Sequence, residues 1–364
     1  MLKRLTLLAM TMIMALTMIG CGGGDNGAAP KNQQKGDEVK LLGSETAKTH
    51  LKVGTTTAPD GHYVLGLVEM QKKLEELSGG TMTIDIYPNS ALGGESDMID
   101  NVSLGMQDMV LSSTGPIPTF SDATKNWSTL DLPYLFESRE EAYKVLDGDI
   151  GKELLGAFNG TGVKAIGFWE NGFRELTNNK KEIKTPADLA GMKIRTMENH
   201  VHMASYTALG ATPTAMAWGE IFSALQQGTV DGQENPLAII LTAKVYEVQK
   251  YISMIDLFYS PCVLMINEDT YNKFTDEQKK WFDEAAEYGK MKEREISKSI
   301  DATARQRMTE QGVVFTDVNK AEWMKVTESV YQDSSTSTRA CSLASAPLLD
   351  AEYLQRIAES EVGL

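Results

Sequence analysis

Two arginines in an acidic chain are the residues best equipped for chemistry. Arg174 lies in Asn171-Gly-Phe-Arg-Glu-Leu-Thr-Asn178 and Arg195 in Leu189-Ala-Gly-Met-Lys-Ile-Arg-Thr-Met-Glu-Asn199, and no other arginine falls between Arg139 and Arg294. With a formal net charge of -15 over 364 residues, each is a rare fixed cation. Guanidinium presents planar paired donors that match a carboxylate bidentately and keeps its charge when partly buried. The pattern points to capture of an organic anion. Arg195 ends a predicted strand over 193–197, just before a helix, and ligands of open α/β sheets bind beyond the carboxyl ends of strands. A structural ion pair with one of the many acids is the competing role. Asn235 precedes Pro236, which biases its backbone away from helix, so its amide can be held at a strand end beside a helix starting at Leu237. Glu95 and Asn199 can exchange hydrogen bonds with ligand hydroxyls, or can equally open helices, a position that acids and asparagines favour.

Catalysis has no positive support. The chain lacks the Gly-x-Ser-x-Gly elbow, the phosphate-loop Gly-Lys-Ser/Thr signature and any Cys-x-x-Cys. His200 and His202, two of only four histidines, are two apart and so point to different sides of a helix, a poor metal pair that fits a surface or cap role. No cofactor or metal is called for.

The elements that must position these groups alternate. Apolar runs at 51–53, 82–87, 108–111 and 163–169 read as strands, separated by helix-period segments at 63–77 and 140–158. The alternation resumes with a strand at 193–197, helices at 201–209, 219–227 and 237–249, and apolar strand material over 251–266. This βα pattern implies a largely parallel sheet covered by helices, followed by a second such sheet. Thr275-Asp-Glu-Gln278 is a capping-box pattern and Gly312 a stop, giving one helix on the order of 50 Å long. Its apolar stripes, Trp281, Ala285 and Tyr288, then Ile296, Ile300 and Ala304, flank a charged run at 290–295. That spacing predicts a helix packed on one lobe, exposed while crossing, and packed on the other; two helices broken near Gly289 is the alternative.

The N-terminus carries Lys3 and Arg4 before an apolar run at 5–19, too short for a span of roughly 20 residues, and reads as an export signal. Gly20-Cys21 resembles a lipoprotein processing site, with Cys21 lipidated, although Met18 stands where leucine is usual; an ordinary cleavage site is the alternative. Residues 22–49 read as a flexible tether. Cys262 and Cys341 can pair or stay as free thiols. The negative balance argues against nucleic acid and against anionic lipid headgroups.

Together with Gly228-Thr-Val-Asp-Gly-Gln-Glu-Asn-Pro236, Tyr87-Pro-Asn-Ser-Ala-Leu-Gly-Gly94 and Asp131-Leu-Pro-Tyr-Leu-Phe136, the two arginine segments resemble the solute-binding proteins of tripartite ATP-independent periplasmic (TRAP) transporters, of the C4-dicarboxylate-receptor type. The resemblance runs from about Leu51 into the C-terminal region. It implies a two-lobed periplasmic-binding-protein-like α/β fold, each lobe a sheet flanked by helices, with a long helix crossing both. Lobe I is then 50–171 plus 261–300, and lobe II 172–260 plus 301–364. It also implies that Arg195 clamps a ligand carboxylate, that Arg174 and Asn235 face the same ligand, and that Trp218 walls the pocket. The partners it implies are a small organic acid and two integral-membrane permease subunits, one small and one large, at the periplasmic or outer face of the cytoplasmic membrane. A sugar acid such as a uronate fits this residue set slightly better than a C4-dicarboxylate. The alternatives are a binding protein of an ATP-driven importer and an exported hydrolase.

Overall fold

The computed structural model describes residues 39–332. The export signal, Cys21 and Cys341 lie outside the described residues. The expected tether does not reach residue 49, because 39–48 already packs on the fold. Leu41 O accepts from Ile86 N at 2.8 Å, Gly43 N donates to Asp85 Oδ1 at 2.9 Å, and Ser44 N donates to Glu75 Oε1 at 2.8 Å. None of the described helices is long and apolar enough to cross a membrane.

The chain opens with β1 (Thr49–Gly54), α1 (His62–Leu77), β2 (Met82–Tyr87), α2 (Glu95–Ser103), β3 (Met109–Ser113) and the short α3 (Ile117–Phe120). It continues with α4 (Arg139–Leu146), α5 (Asp149–Gly156) and the 16-residue β4 (Val163–Asn178). The helix expected over 140–158 is therefore two, broken at Gly148, where a Cβ would sit 2.9 Å from Lys144 O. Next come β5 (Lys193–Thr196), α6 (His200–Ala208), β6 (Thr212–Ala215), α7 (Ile221–Gln227), β7 (Gly232–Pro236) and α8 (Leu237–Thr242). The helix expected to run to residue 249 ends at Thr242 because Lys244 takes a left-handed φ of 55°. The described chain closes with β8 (Tyr251–Met254), β9 (Tyr259–Asn267), α9 (Glu268–Asn272), α10 (Asp276–Glu310), β10 (Val314–Asp317) and α11 (Lys320–Gln332).

The strand order is β2-β1-β3-β9-β4-β7-β5-β6, with β8 joining β4 to β10. The sheets are mixed rather than largely parallel. β1–β2, β1–β3, β5–β6, β5–β7 and β8–β10 are parallel, whereas β9 runs antiparallel to β3 and β4, and β4 antiparallel to β7 and β8. The antiparallel strands arise because the chain crosses between the two lobes through β4 and returns through β9. Every residue of β9 is buried, as an apolar strand with neighbours on both edges requires. β4 pairs with β9 as far as Phe173 and with β7 from Arg174, so one strand belongs to both lobes. A register shift between Glu170 and Gly172 makes the transfer, and Gly172 adopts φ 126°, a value that favours glycine.

α10 is a single helix of 35 residues, about 52 Å long. Thr275 Oγ1 accepts from Gln278 N and Gln278 Oε1 accepts from Thr275 N, the capping box read from the sequence. Its crossing is exposed on one face only. Lys290, Glu293 and Arg294 are all buried; Arg294 donates to Asp147 Oδ2 at 2.6 Å and Phe168 O at 2.8 Å, and Glu293 Oε2 accepts from Glu170 N at 2.9 Å. Lys290, Glu293 and Arg294 turn inward because Asp147, Phe168 and Glu170 meet them, whereas Met291 and Glu295 on the other face stay exposed. Gly289 does not break the helix but lets it approach α1: an added Cβ would lie 2.7 Å from Met70 Cβ and 2.9 Å from Trp169 Cη2. Gly289→Ala should therefore lower stability. Overpacking costs about 1–3 kcal/mol, against about 1 kcal/mol gained in helix propensity. A urea midpoint above that of the natural protein would contradict this packing.

Candidate functional site

Arg195 sits on β5 at its carboxyl end, flanked by β6 and β7 in parallel register. Its neighbour Ile194 is fully buried, and the alternating side chains of a strand place the guanidinium on the opposite face of the sheet. The guanidinium is 3% exposed. Nε and Nη2 both donate to Met216 O, at 2.9 and 2.7 Å, while Nη1 is buried without a partner. No carboxylate among the described residues forms an ion pair with it. Burial above all, helped by the like charge of Arg174 and only partly offset by the more distant Glu234, Glu95 and Glu198, lowers its pKa to about 10. Trp218 stands 5.9 Å from its Cζ.

Arg174 is fully buried on β4 and differs in kind. Its Nε donates to Glu234 Oε2, and its Nη2 donates to Glu234 Oε1 and Glu234 O, both at 2.9 Å; Nη1 has no partner. Burial would push the Glu234 carboxyl up, but Arg174 and then His202 overcome it and hold the pKa down at about 2. His202 corrects the expected surface or cap role. It is wholly buried, stacked on Phe258 at 4.1 Å, with Nε2 3.2 Å from Asp131 Oδ1 and Nδ1 3.5 Å from Glu234 Oε1. Burial favours the neutral ring, yet the two carboxylates outweigh it and raise the pKa.

Thr56, Tyr63, Glu95, Ser113, Asn171, Arg174, Arg195, Met197, Trp218 and Asn235 are among the lining of one narrow cavity between the lobes. Five of the six residues picked from the sequence thus meet in one place. Glu95 opens α2, as the helix-start alternative held, and also faces the cavity, accepting from Ser113 N and Ser113 Oγ, both at 2.7 Å. Asn235 is the penultimate residue of β7 and donates to Gln233 Oε1 at 2.6 Å. Asn199 stands apart from the cavity. It caps α6, its Oδ1 accepting from Val201 N and His202 N, and its amide ties lobe II to Gly115 O at 2.9 Å and Asp131 Oδ2 at 2.7 Å. With Ser96 Oγ donating to Glu198 Oε2 at 2.8 Å, these bonds tie residues 198–199 to α2, Gly115 and Asp131.

Sequence reasoning missed Glu234, Tyr63, Asn171 and Ser113. Glu234 carried a usable signal, because an acid one residue from Asn235 on a strand bordering β4 is within reach of Arg174. The other three are ordinary residues of strands and helices until the lobes come together. No group of three or more His, Cys, Asp or Glu among the described residues is arranged to hold a metal ion.

The comparisons give this geometry its class. Residues 53–337 match the family described as bacterial extracellular solute-binding protein, family 7, also called DctP. A solute-binding protein of Verminephrobacter eiseniae is 39% identical over 279 residues, covering 76% of this chain and 82% of that protein. A TRAP periplasmic solute-binding protein from a Bordetella species, with density assigned to pantoate, superposes with a TM-score of 0.80 at 34% identity, covering 86% and 99% of the two chains. One from Polaromonas sp. JS666 bound to D-erythronate does so at 0.76 and 37%, covering 82% and 100%. The chain belongs to this family: it is a TRAP-type extracytoplasmic solute receptor, not an enzyme. The family assignment sets aside both the ATP-driven importer and the exported hydrolase.

Proposed function

We propose that the solute is a short hydroxylated monocarboxylate, a sugar acid, whose carboxylate is clamped by Arg195. The observation that carries this reading is a buried guanidinium whose Nη1 has no partner and which lacks a counter-ion, since an unpaired buried charge is costly until an anion joins it. Arg174 supplies a second unpartnered Nη1 to the same cavity but little net charge, because Glu234 already neutralises it. Asn235 contributes an amide. At the other side Glu95, held only by the neutral donors of Ser113, accepts from ligand hydroxyls and opposes a second carboxylate. The relatives bound to D-erythronate and assigned pantoate, both hydroxylated monocarboxylates, agree with this charge count.

Lobe I takes residues 50–171 and 261–300, and lobe II residues 172–260 and 301–364, with closure turning about the crossing of β4 near Gly172. The ligand bridges both lobes, since Glu95 and Ser113 lie on one and Arg195 and Trp218 on the other, and contacts that exist only when closed shift the population toward that form. The closed receptor delivers its solute to the small and large permease subunits. A lipid on Cys21 holds it at the membrane.

A thermal-shift series tests the ligand class. At 100 times its dissociation constant a ligand stabilises by about 2.7 kcal/mol, so D-erythronate should raise the unfolding midpoint by several degrees while erythritol, the same chain without the acid, leaves it in place. Succinate should act more weakly than erythronate. Equal shifts from erythritol would remove the carboxylate from the argument.

A further inference from the structure

A second pocket of about 340 Å3, open to solvent, abuts the acid cavity, and the two share Thr56 and Trp218 as a common wall. It draws on both lobes, with Asn89 and Ser90 from the β2–α2 loop on one side, and Phe222 and Lys244 on the other. Five non-glycine residues among the described ones have positive φ, and three of them, Asn89 (55°), Ser90 (56°) and Lys244 (55°), line this one chamber. Left-handed backbone is unfavourable for residues with a Cβ, and glycine is the easy residue there. A lysine immediately after α8, where glycine would end the helix without strain, is held at a cost. The backbone of the β2–α2 loop is pinned, with Asn89 N donating to Thr57 O at 2.8 Å and Ser90 N to Thr55 O at 3.1 Å. The side chains of Asn89, Ser90 and Lys244 have no hydrogen-bond or ion-pair partner among the described residues. Asn89 and Lys244 are exposed and Ser90 is half-buried, so their amide, hydroxyl and ammonium are open to an incoming molecule along a lining shared with Trp218 and Phe222. Aromatic surface with a few convergent polar groups is the chemistry of a small-molecule pocket.

Resting on the receptor reading above, we infer that this outer chamber is a second subsite, which takes the distal hydroxylated carbons of sugar acids longer than four carbons. The carboxylate stays on Arg195, the chain passes between Thr56 and Trp218, and its far hydroxyls reach Asn89, Ser90 and Lys244. The inner cavity then recognises the acid and the outer one its length.

Calorimetry on the purified protein with D-erythronate (four carbons) and D-gluconate (six) tests this, using Lys244→Gly and the double variant Asn89→Gly/Ser90→Gly. Glycine relieves the left-handed backbone, so neither change threatens the fold. We expect erythronate affinity within about twofold of the natural protein, and gluconate affinity weaker by about five- to tenfold per variant, the worth of one hydrogen bond, somewhat more if charged. Equal losses for both acids, no loss for either, or a natural protein that binds erythronate but not gluconate would each overturn the outer subsite while leaving the receptor reading standing. A natural protein that binds neither acid overturns the sugar-acid reading and this inference with it.

Discussion

Arg195→Met should abolish acid binding while the empty protein stays folded and as stable as before. The ligand's carboxylate would enter a desolvated cleft and find no partner, a loss of roughly 2–5 kcal/mol or about 30- to 5,000-fold in dissociation constant. The empty protein behaves differently. Arg195 is a buried charge without a counter-ion, and an apolar side chain of similar length removes that penalty, while Met216 O loses the donors of Nε and Nη2. The two effects oppose each other, so the melting midpoint without ligand should be unchanged or higher. Arg195→Lys should also bind poorly, since a single ammonium cannot hold Met216 O and present planar paired donors at once. Calorimetry and thermal melts separate the two effects. Binding by Arg195→Met within a few-fold of the natural protein would sink the assigned role.

Glu234→Gln should be the most damaging isosteric change to stability. It leaves the shape intact but strands the charge of Arg174, which is fully buried, and removes one of the two carboxylates that hold His202. Breaking one side of a buried pair costs about 3–5 kcal/mol. The depressed pKa gives a consistent size: a fall from 4.5 to about 2 corresponds to about 3 kcal/mol at 1.36 kcal/mol per unit. Because the folded pKa lies below the unfolded one, this stabilisation is complete above about pH 4.5 and is lost as pH falls toward 2. The gap between natural protein and variant in urea should thus be full at pH 7 and narrower at pH 3.5. A gap that is constant with pH, or absent at pH 7, would show that Glu234 does not carry the compensating charge. The variant also frees a second cation beside the cavity, so its relative preference should move toward succinate.

Much of this was legible in the chain itself. Thr275 and Gln278 announce the start of α10, and the pattern around Lys193, Ile194 and Arg195 sets a cation at a strand end before a helix. The proline after Asn235 does the same for the end of β7. These are local signals, written within a few residues by hydrogen-bonding geometry and side-chain alternation. The strand directions were less legible, since β4 and β9 look like any apolar run, and only their return path between lobes makes them antiparallel. The exposed crossing expected at 290–295 held on one face only, for a related reason: charge along a helix reads as a solvated face, unless distant residues such as Asp147 and Phe168 supply partners.

His202 and Arg174 show where local reading ends. A histidine two residues from another looks uninformative, and an arginine in an acidic chain looks like an anion receptor, until tertiary packing sets Asp131, Glu234 and Phe258 around them. The sequence by itself determined the family, the long helix and the presence of a fixed cation at a strand end, because motif order and short-range periodicity carry that information. Which of the two arginines remains uncompensated was decided only by the folded structure. Charge balance in a desolvated cleft depends on groups tens of residues apart, and the sixty positions from Arg174 to Glu234 close to a hydrogen bond only once β4 and β7 pair.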